Sequence, residues 1–215
     1  MRLNRNFRTL AVCGAAVLSG CMFDEPMYYA SDKLEKSWDV GPSPQVVADL
    51  FGGPIYVTAS RDGKVIASVQ IGTVSKVSQD VADKAVKAMI DGPGVTMTQE
   101  GNSIRIIELY GYRAVCSLNI SVPVGTRLDV HAGAGDINVG ASGTRAPVAL
   151  ASLKARQDSV GVLTVNVIGA PSRAPRLDLK GENLKLTVNG LPVEIGPPMR
   201  DNGLGAGKRW HFESN

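Results

Sequence analysis

Val122-Pro-Val-Gly-Thr-Arg-Leu-Asp-Val-His-Ala-Gly-Ala-Gly-Asp-Ile-Asn-Val-Gly140 holds two short alternating runs joined by a glycine-rich bend. Side chains on a strand alternate between its two faces, so Leu128 pairs with Val130 on one face and Ile137 with Val139. Gly133, Gly135 and Asp136 are the turn residues of this unit. Glycine reaches positive φ without a Cβ clash, and a turn aspartate bonds its own backbone, which is the role expected of Asp136. The same spacing returns further along the chain. Leu184 and Leu186 match the first pair, Gly190 stands where Ala134 does, Val193 and Ile195 match the second pair, and Gly196 matches Gly140. Val165-Asn-Val167 and Leu177-Asp-Leu179 add further apolar-x-apolar units. Strands this short bury one or two side chains each and must stack on neighbours. The fold class expected is therefore mainly all-β, a β-solenoid or β-helix-like repeat of short strands. A β-sandwich is the alternative.

Upstream, Pro54–Ala59 and Val65–Ile71 alternate on either side of Arg61-Asp-Gly-Lys64, which predicts a hairpin over 54–71. Residues 79–91 break the β pattern. Val81, Ala85 and Met89 make one row at helical spacing, and Ala82, Val86 and Ile90 make the row beside it. Ser78 is placed to cap this helix, Asp80–Lys84 and Asp83–Lys87 are favourable i, i+4 pairs, and Asp91-Gly-Pro-Gly94 stops it. One amphipathic helix is thus expected, covering the end or edge of a sheet. Strands follow at Val95–Gln99, Ser103–Leu109 and Val115–Val122.

The Val122–Gly140 segment resembles the bacterial "putative adhesin" family of β-repeat proteins, which carry units of the form VPxGxxLxVxxGxGDIxV. The whole segment matches closely, with one Gly-Asp-Ile turn in this chain, and the later units, as far as Gly196, match loosely. The resemblance implies a β-repeat fold and an adhesin-like binding role, and it brings no catalytic residue.

At the other end of the sequence, Arg2, Arg5 and Arg8 precede an apolar run from Leu10 to Leu18, and Leu18-Ser19-Gly20-Cys21 follows. This order is a secretory signal, and its apolar run is shorter than the roughly 20 residues a spanning helix needs. Leu18, Ser19, Gly20 and Cys21 resemble the lipobox of bacterial lipoproteins. That resemblance implies cleavage before Cys21, a thioether-linked diacylglycerol on its sulfur and an acyl chain such as palmitate on its amine. Two or three chains hold a protein on a membrane where one does not. Met22, in place of the aspartate that marks inner-membrane retention, implies an outer-membrane destination. The expected organisation is a signal peptide at 1–20, a tether at 21–45, a β-rich domain at 46–196 and a flexible tail at 197–215.

The chain carries 23 basic and 20 acidic residues. Cleavage would remove three arginines and no acid, leaving a body of zero net charge. Nucleic-acid binding asks for a basic face, so nucleic acid is not an expected partner. Cys13 would leave with the signal and Cys21 would be acylated, so Cys116 has no disulfide partner and reads as a small buried apolar residue. Asp129 and His131 share a strand face and can pair at the surface. Gly133-Ala-Gly135-Asp136 is a single copy of a unit that binds calcium only in stacked copies. The sequence holds no zinc, P-loop or nucleophile-elbow motif. No cofactor, no metal and no catalytic activity are expected.

The function expected first is a membrane-anchored envelope lipoprotein with a non-catalytic adhesin-like or scaffold domain. Its partners are the membrane, through acylated Cys21, and an envelope protein or polysaccharide. A periplasm-facing structural or assembly lipoprotein is the alternative, and a polysaccharide-acting β-helix enzyme stands third.

Overall fold

The computed structural model describes residues 26–109, 115–140, 147–159, 161–168, 175–181, 183–188, 191–192 and 208–212. Leu18 to Cys21 lie outside them, as do Gly190, Val193, Ile195 and Gly196. The described elements are β1 (Tyr28–Asp39), β2 (Gln45–Leu50), β3 (Ile55–Ala59), β4 (Lys64–Ser75), α1 (Gln79–Asp91), β5 (Val95–Glu100), β6 (Ser103–Glu108) and β7 (Val115–Val122). There follow β8 (Thr126–Ala132), β9 (Ile137–Val139), β10 (Val148–Gln157), β11 (Val162–Ile168), β12 (Arg176–Gly181), β13 (Asn183–Val188), β14 (Leu191–Pro192) and β15 (Lys208–Phe212). The fold is all-β with one helix.

Nine of the fourteen ladders between these strands are parallel. A parallel pair needs a long crossover, and here the crossover is a strand of the opposite face. The front face runs β6, β2, β8, β10, β12 and the back face runs β7, β3, β9, β11, β13. Each front strand leads into the back strand of the same rung, so β2 passes to β3, β8 to β9, β10 to β11 and β12 to β13. The first residues of β10 also pair with the end of β11, Val148 with Val167 and Ala149 with Ile168. That contact joins the two faces along one side into a nearly closed, barrel-like sheet.

Register explains why a chain of such short strands has a core. On the front, Ile104, Val46, Leu128, Leu153 and Leu177 line up in one inward row, and Ile106, Ala48, Val130, Ala155 and Leu179 in the next. On the back, the rows are Leu118, Ile55, Ile137, Leu163, Leu184 and Ile120, Val57, Val139, Val165, Leu186. All of these are buried except Leu184, which is partly so. Each CH₂ group withdrawn from water there contributes about 0.8 kcal/mol, and no single rung could withdraw both of its sides.

The two ends of the stack are closed by antiparallel strands. β5 pairs with β6 on the front, while β4 pairs with β7 and β1 with β4 on the back. At the far end β15 pairs with β12 and β14 with β13. Helix α1 lies against β1 and β4. Ser78 caps it, accepting from the Val81 N–H, and Ala82 and Val86 are buried beside Ala30. The row through Ala82 thus faces inward, and Val81 is exposed.

Four expectations change. Residues 54–71 are not a hairpin, because β7 lies between β3 and β4. Tyr28–Asp39, expected within a tether, is a strand paired with β4 along its whole length, with Trp38 buried. Residues 208–212, expected in a loose tail, form a strand on β12. The match of Leu128 and Val130 with Leu184 and Leu186 equates a front strand, β8, with a back strand, β13. The units that stack lie closer together along the chain: Leu153 sits beside Leu128 on one side and Leu177 on the other.

Candidate functional site

Gly133, Gly135 and Asp136 come together with their neighbours at the corner where front strands turn into back strands. Gly135 has φ +106, and a Cβ there would lie 2.6 Å from the Gly53 carbonyl group. Gly53, at φ +92, would place a Cβ 1.5 Å from the Cys116 oxygen, and one on Gly161 would lie 2.7 Å from the Gly135 oxygen. Gly53, Gly135 and Gly161 therefore form a column in which backbone rests on backbone. Each stands just before the first inward residue of a back strand: Ile55, Ile137 and Leu163.

Asp136 acts between rungs. Its Oδ1 accepts the Val162 N–H at 2.8 Å, and its carbonyl accepts the Ile55 N–H at 2.8 Å. The expectation that it bonds its own turn is thus corrected. The bends at this corner are already fixed by glycine, while the next rung offers an N–H within reach of the carboxylate. Gln157, buried on the front strand above, donates from Nε2 to the Gly135 carbonyl in the same way.

Glu108 ends β6 with its side chain inside this corner. Its Oε2 accepts the N–H groups of Phe51 at 2.9 Å and Gly52 at 3.3 Å. Burial pushes its carboxyl above the usual carboxylate range, and the Gly52 N–H, the Cys116 thiol and the Phe51 N–H offset part of that rise. Cys116 is 1 % exposed. Burial first, and then the Glu108 charge, push its thiol up to about 12. A thiol held there forms almost no thiolate near neutral pH, so Cys116 is a packing residue, as its alternating context implied.

His131 lies on the outer front face. Its Nδ1 is 2.7 Å from Asp49 Oδ1 and its Nε2 is 2.7 Å from Asp158 Oδ2. Asp129, the partner expected from its place on the same strand, instead meets Lys154 at 3.4 Å. The reason is spacing: the adjacent strand lies about 4.8 Å away, whereas i and i+2 on one strand are nearly 7 Å apart. Both ring nitrogens of His131 are engaged, so none is left to act as a base on a bound molecule. It ties three successive rungs together.

Outside the core rows, the two faces differ. The front carries Arg105, Val47, Asp129, Lys154 and Asp178 in one register row, and Ile107, Asp49, His131, Arg156 and Lys180 in the next. The back carries Asn119, Tyr56, Asn138, Thr164 and Lys185 in one row. Beside it Ser121 lies next to Thr58, with their hydroxyls 2.9 Å apart, and Asn166 next to Thr187. Among the described residues, Asn119, Tyr56, Asn138 and Thr164 make no side-chain hydrogen bond. This face was missed in the sequence because residues that alternate with core positions read simply as solvent-facing. The signal was there in Tyr56, Asn119, Asn138 and Asn166, each flanked by apolar residues.

No helix among the described residues is long and apolar enough to cross a membrane. No protein-family model and no curated protein matches the chain. Among solved structures, it is similar to a "putative adhesin" from Bacteroides fragilis NCTC 9343, with 13% identity over 64% of each chain and a TM-score of 0.30. It is similar to a "putative adhesin" from Parabacteroides distasonis ATCC 8503, with 9% identity over 73% of this chain and 55% of that one and a TM-score of 0.30. A "putative lipid binding protein" from the same organism gives 10% identity over 71% and 61% and a TM-score of 0.27. The chain spans less than two thirds of the length of each of these three.

Proposed function

We propose that this chain is an envelope lipoprotein, anchored through acylated Cys21, whose stacked rungs are a β-solenoid that binds an envelope polysaccharide by its back face. The observation that supports this reading is the row Asn119, Tyr56, Asn138 and Thr164, in register and without side-chain hydrogen bonds of its own. Sugars present hydroxyls and apolar ring faces. Amide and hydroxyl groups meet the first, and a tyrosine ring meets the second. The front face is less suited, since His131, Asp49, Asp158, Lys154 and Asp129 already bond one another. The role is non-catalytic, adhesin-like or scaffolding.

The test is cosedimentation of the purified chain with insoluble envelope polysaccharide. Retention that free oligosaccharide competes away supports the reading, and a chain that stays in the supernatant overturns it. The anchor has its own test. Labelled palmitate enters the wild-type chain and not Cys21→Ser; equal labelling of the two rejects the lipobox assignment. Protease treatment of intact and opened cells then separates a surface adhesin, digested in both, from a periplasm-facing structural part, digested only after opening.

A further inference from the structure

Eight large apolar side chains are exposed among the described residues, and four of them gather at one end: Met27, Tyr29, Val74 and Val77. Tyr29 and Val74 are register partners, so they share the outer side of the β1–β4 ladder. The Tyr29 hydroxyl lies 4.0 Å from Met27 Sδ. Gln79, at the start of α1, donates to the Tyr29 carbonyl at 2.8 Å, which brings Val77 to the same end. The remaining four are elsewhere, Val81 on α1, which packs on the Ala30 side of β1, Phe51 and Leu109 at the Glu108 corner, and Val124 in a turn. Isolated exposed apolar residues need no explanation, but a gathered group marks an interaction surface.

The length of chain between this group and Cys21 names the occupant. Met27 follows Cys21 so closely in the sequence that the chain between them spans at most about 20 Å. A domain of this size is at least about 33 Å across, twice its expected radius of gyration. An anchor at Cys21 therefore cannot let the domain turn this end away from the lipid. We infer that Met27, Tyr29, Val74 and Val77 form a membrane-seated footprint that rests in the headgroup layer beside the acylated cysteine and fixes how the domain stands on the bilayer. Tyrosine, with an apolar ring and a polar tip, suits that layer. The inference rests on the reading of Cys21 as the lipid anchor.

The experiment uses the full acylated chain in vesicles of phosphatidylethanolamine and phosphatidylglycerol. Val77→Cys and, separately, Val124→Cys are labelled with an environment-sensitive fluorophore; buried Cys116 stays in place, and the wild-type chain controls for its labelling. Flotation with the vesicles is scored first. A wild-type chain that fails to float rejects the anchor and the footprint with it. With flotation established, doxyl-labelled lipid should quench the Val77 label at least threefold more than the Val124 label. Equal quenching at the two positions overturns the footprint while leaving the anchor standing. So does a Val77 label shielded from both lipid and water quenchers, because that result assigns the patch to a second copy of the chain.

Discussion

The front and back faces rest on matching aliphatic rows, yet they use their outward side chains differently. On the front, His131 spans Asp49 and Asp158 and Lys154 meets Asp129, so charge on one rung is answered on the next. On the back, amides and hydroxyls stand in the same register without partners of their own along the Asn119–Thr164 row. The contrast separates two uses of one repeat. A row whose groups satisfy each other adds cohesion, and a row whose groups remain unsatisfied offers bonds to something else.

The largest effect is expected where both faces depend on one position. Gly53→Ala puts a Cβ 1.5 Å from a backbone oxygen at φ +92, and neither side can yield. It should cost several kcal/mol and abolish cooperative unfolding in denaturant, front and back together. Gly63 also has positive φ, +67, but a Cβ there meets nothing within 4 Å. Gly63→Ala should cost about 1 kcal/mol, from the left-handed backbone alone. Similar losses for the two would mean that the corner column is a set of ordinary turns.

A smaller effect tests cohesion on the front. His131→Ala removes two contacts whose carboxylates are half exposed, and exposed pairs contribute roughly 0.2–1 kcal/mol each. A loss of about 1 kcal/mol in denaturant unfolding is expected, with no change in polysaccharide retention.

The smallest effect is a slope beneath both faces. Glu108 has a folded pKa above its ordinary value of 4.5. The native state then holds the proton more tightly than the unfolded chain. Its contribution is fully present below about pH 4.5 and is lost as pH rises through the folded value. Glu108→Gln removes that titration, so stability relative to wild type should improve between pH 4 and pH 7. A difference that stays constant across that range would show that the site does not raise the affinity of the carboxyl for its proton.

What was legible in the sequence follows the same division. Strict alternation made the inward rows readable, and Ser78, the Ala82–Val86 row and Gly92 marked α1. Stacking order was not readable, since nothing local to Pro54–Ile71 says that β7 will come between β3 and β4. Strand β1 was hidden because its inward face alternates Tyr28, Ala30, Leu34 and Trp38 with Asp32 and Lys36, which breaks the apolar period. Lys36 takes its inward place by reaching the Met97 carbonyl and lying over the Trp38 ring. The true repeat was masked because Gly-Asp-Ile occurs once, while Gly53-Pro-Ile and Gly161-Val-Leu lack the aspartate and keep the glycine that the backbone contact requires. Of the corner residues, Gly133, Gly135 and Asp136 were singled out, with another role for Asp136, and Gly53 and Gly161 were not. The back row was found only through register.

The most direct measurement is polysaccharide retention by two variants side by side, Tyr56→Ala/Asn138→Ala on the back and His131→Ala on the front. The back-face pair should lose at least tenfold in affinity while unfolding at nearly the wild-type denaturant concentration, and the front-face variant should bind as wild type does. Equal binding by all three chains, or a loss confined to His131→Ala, would contradict the assignment of recognition to the back face.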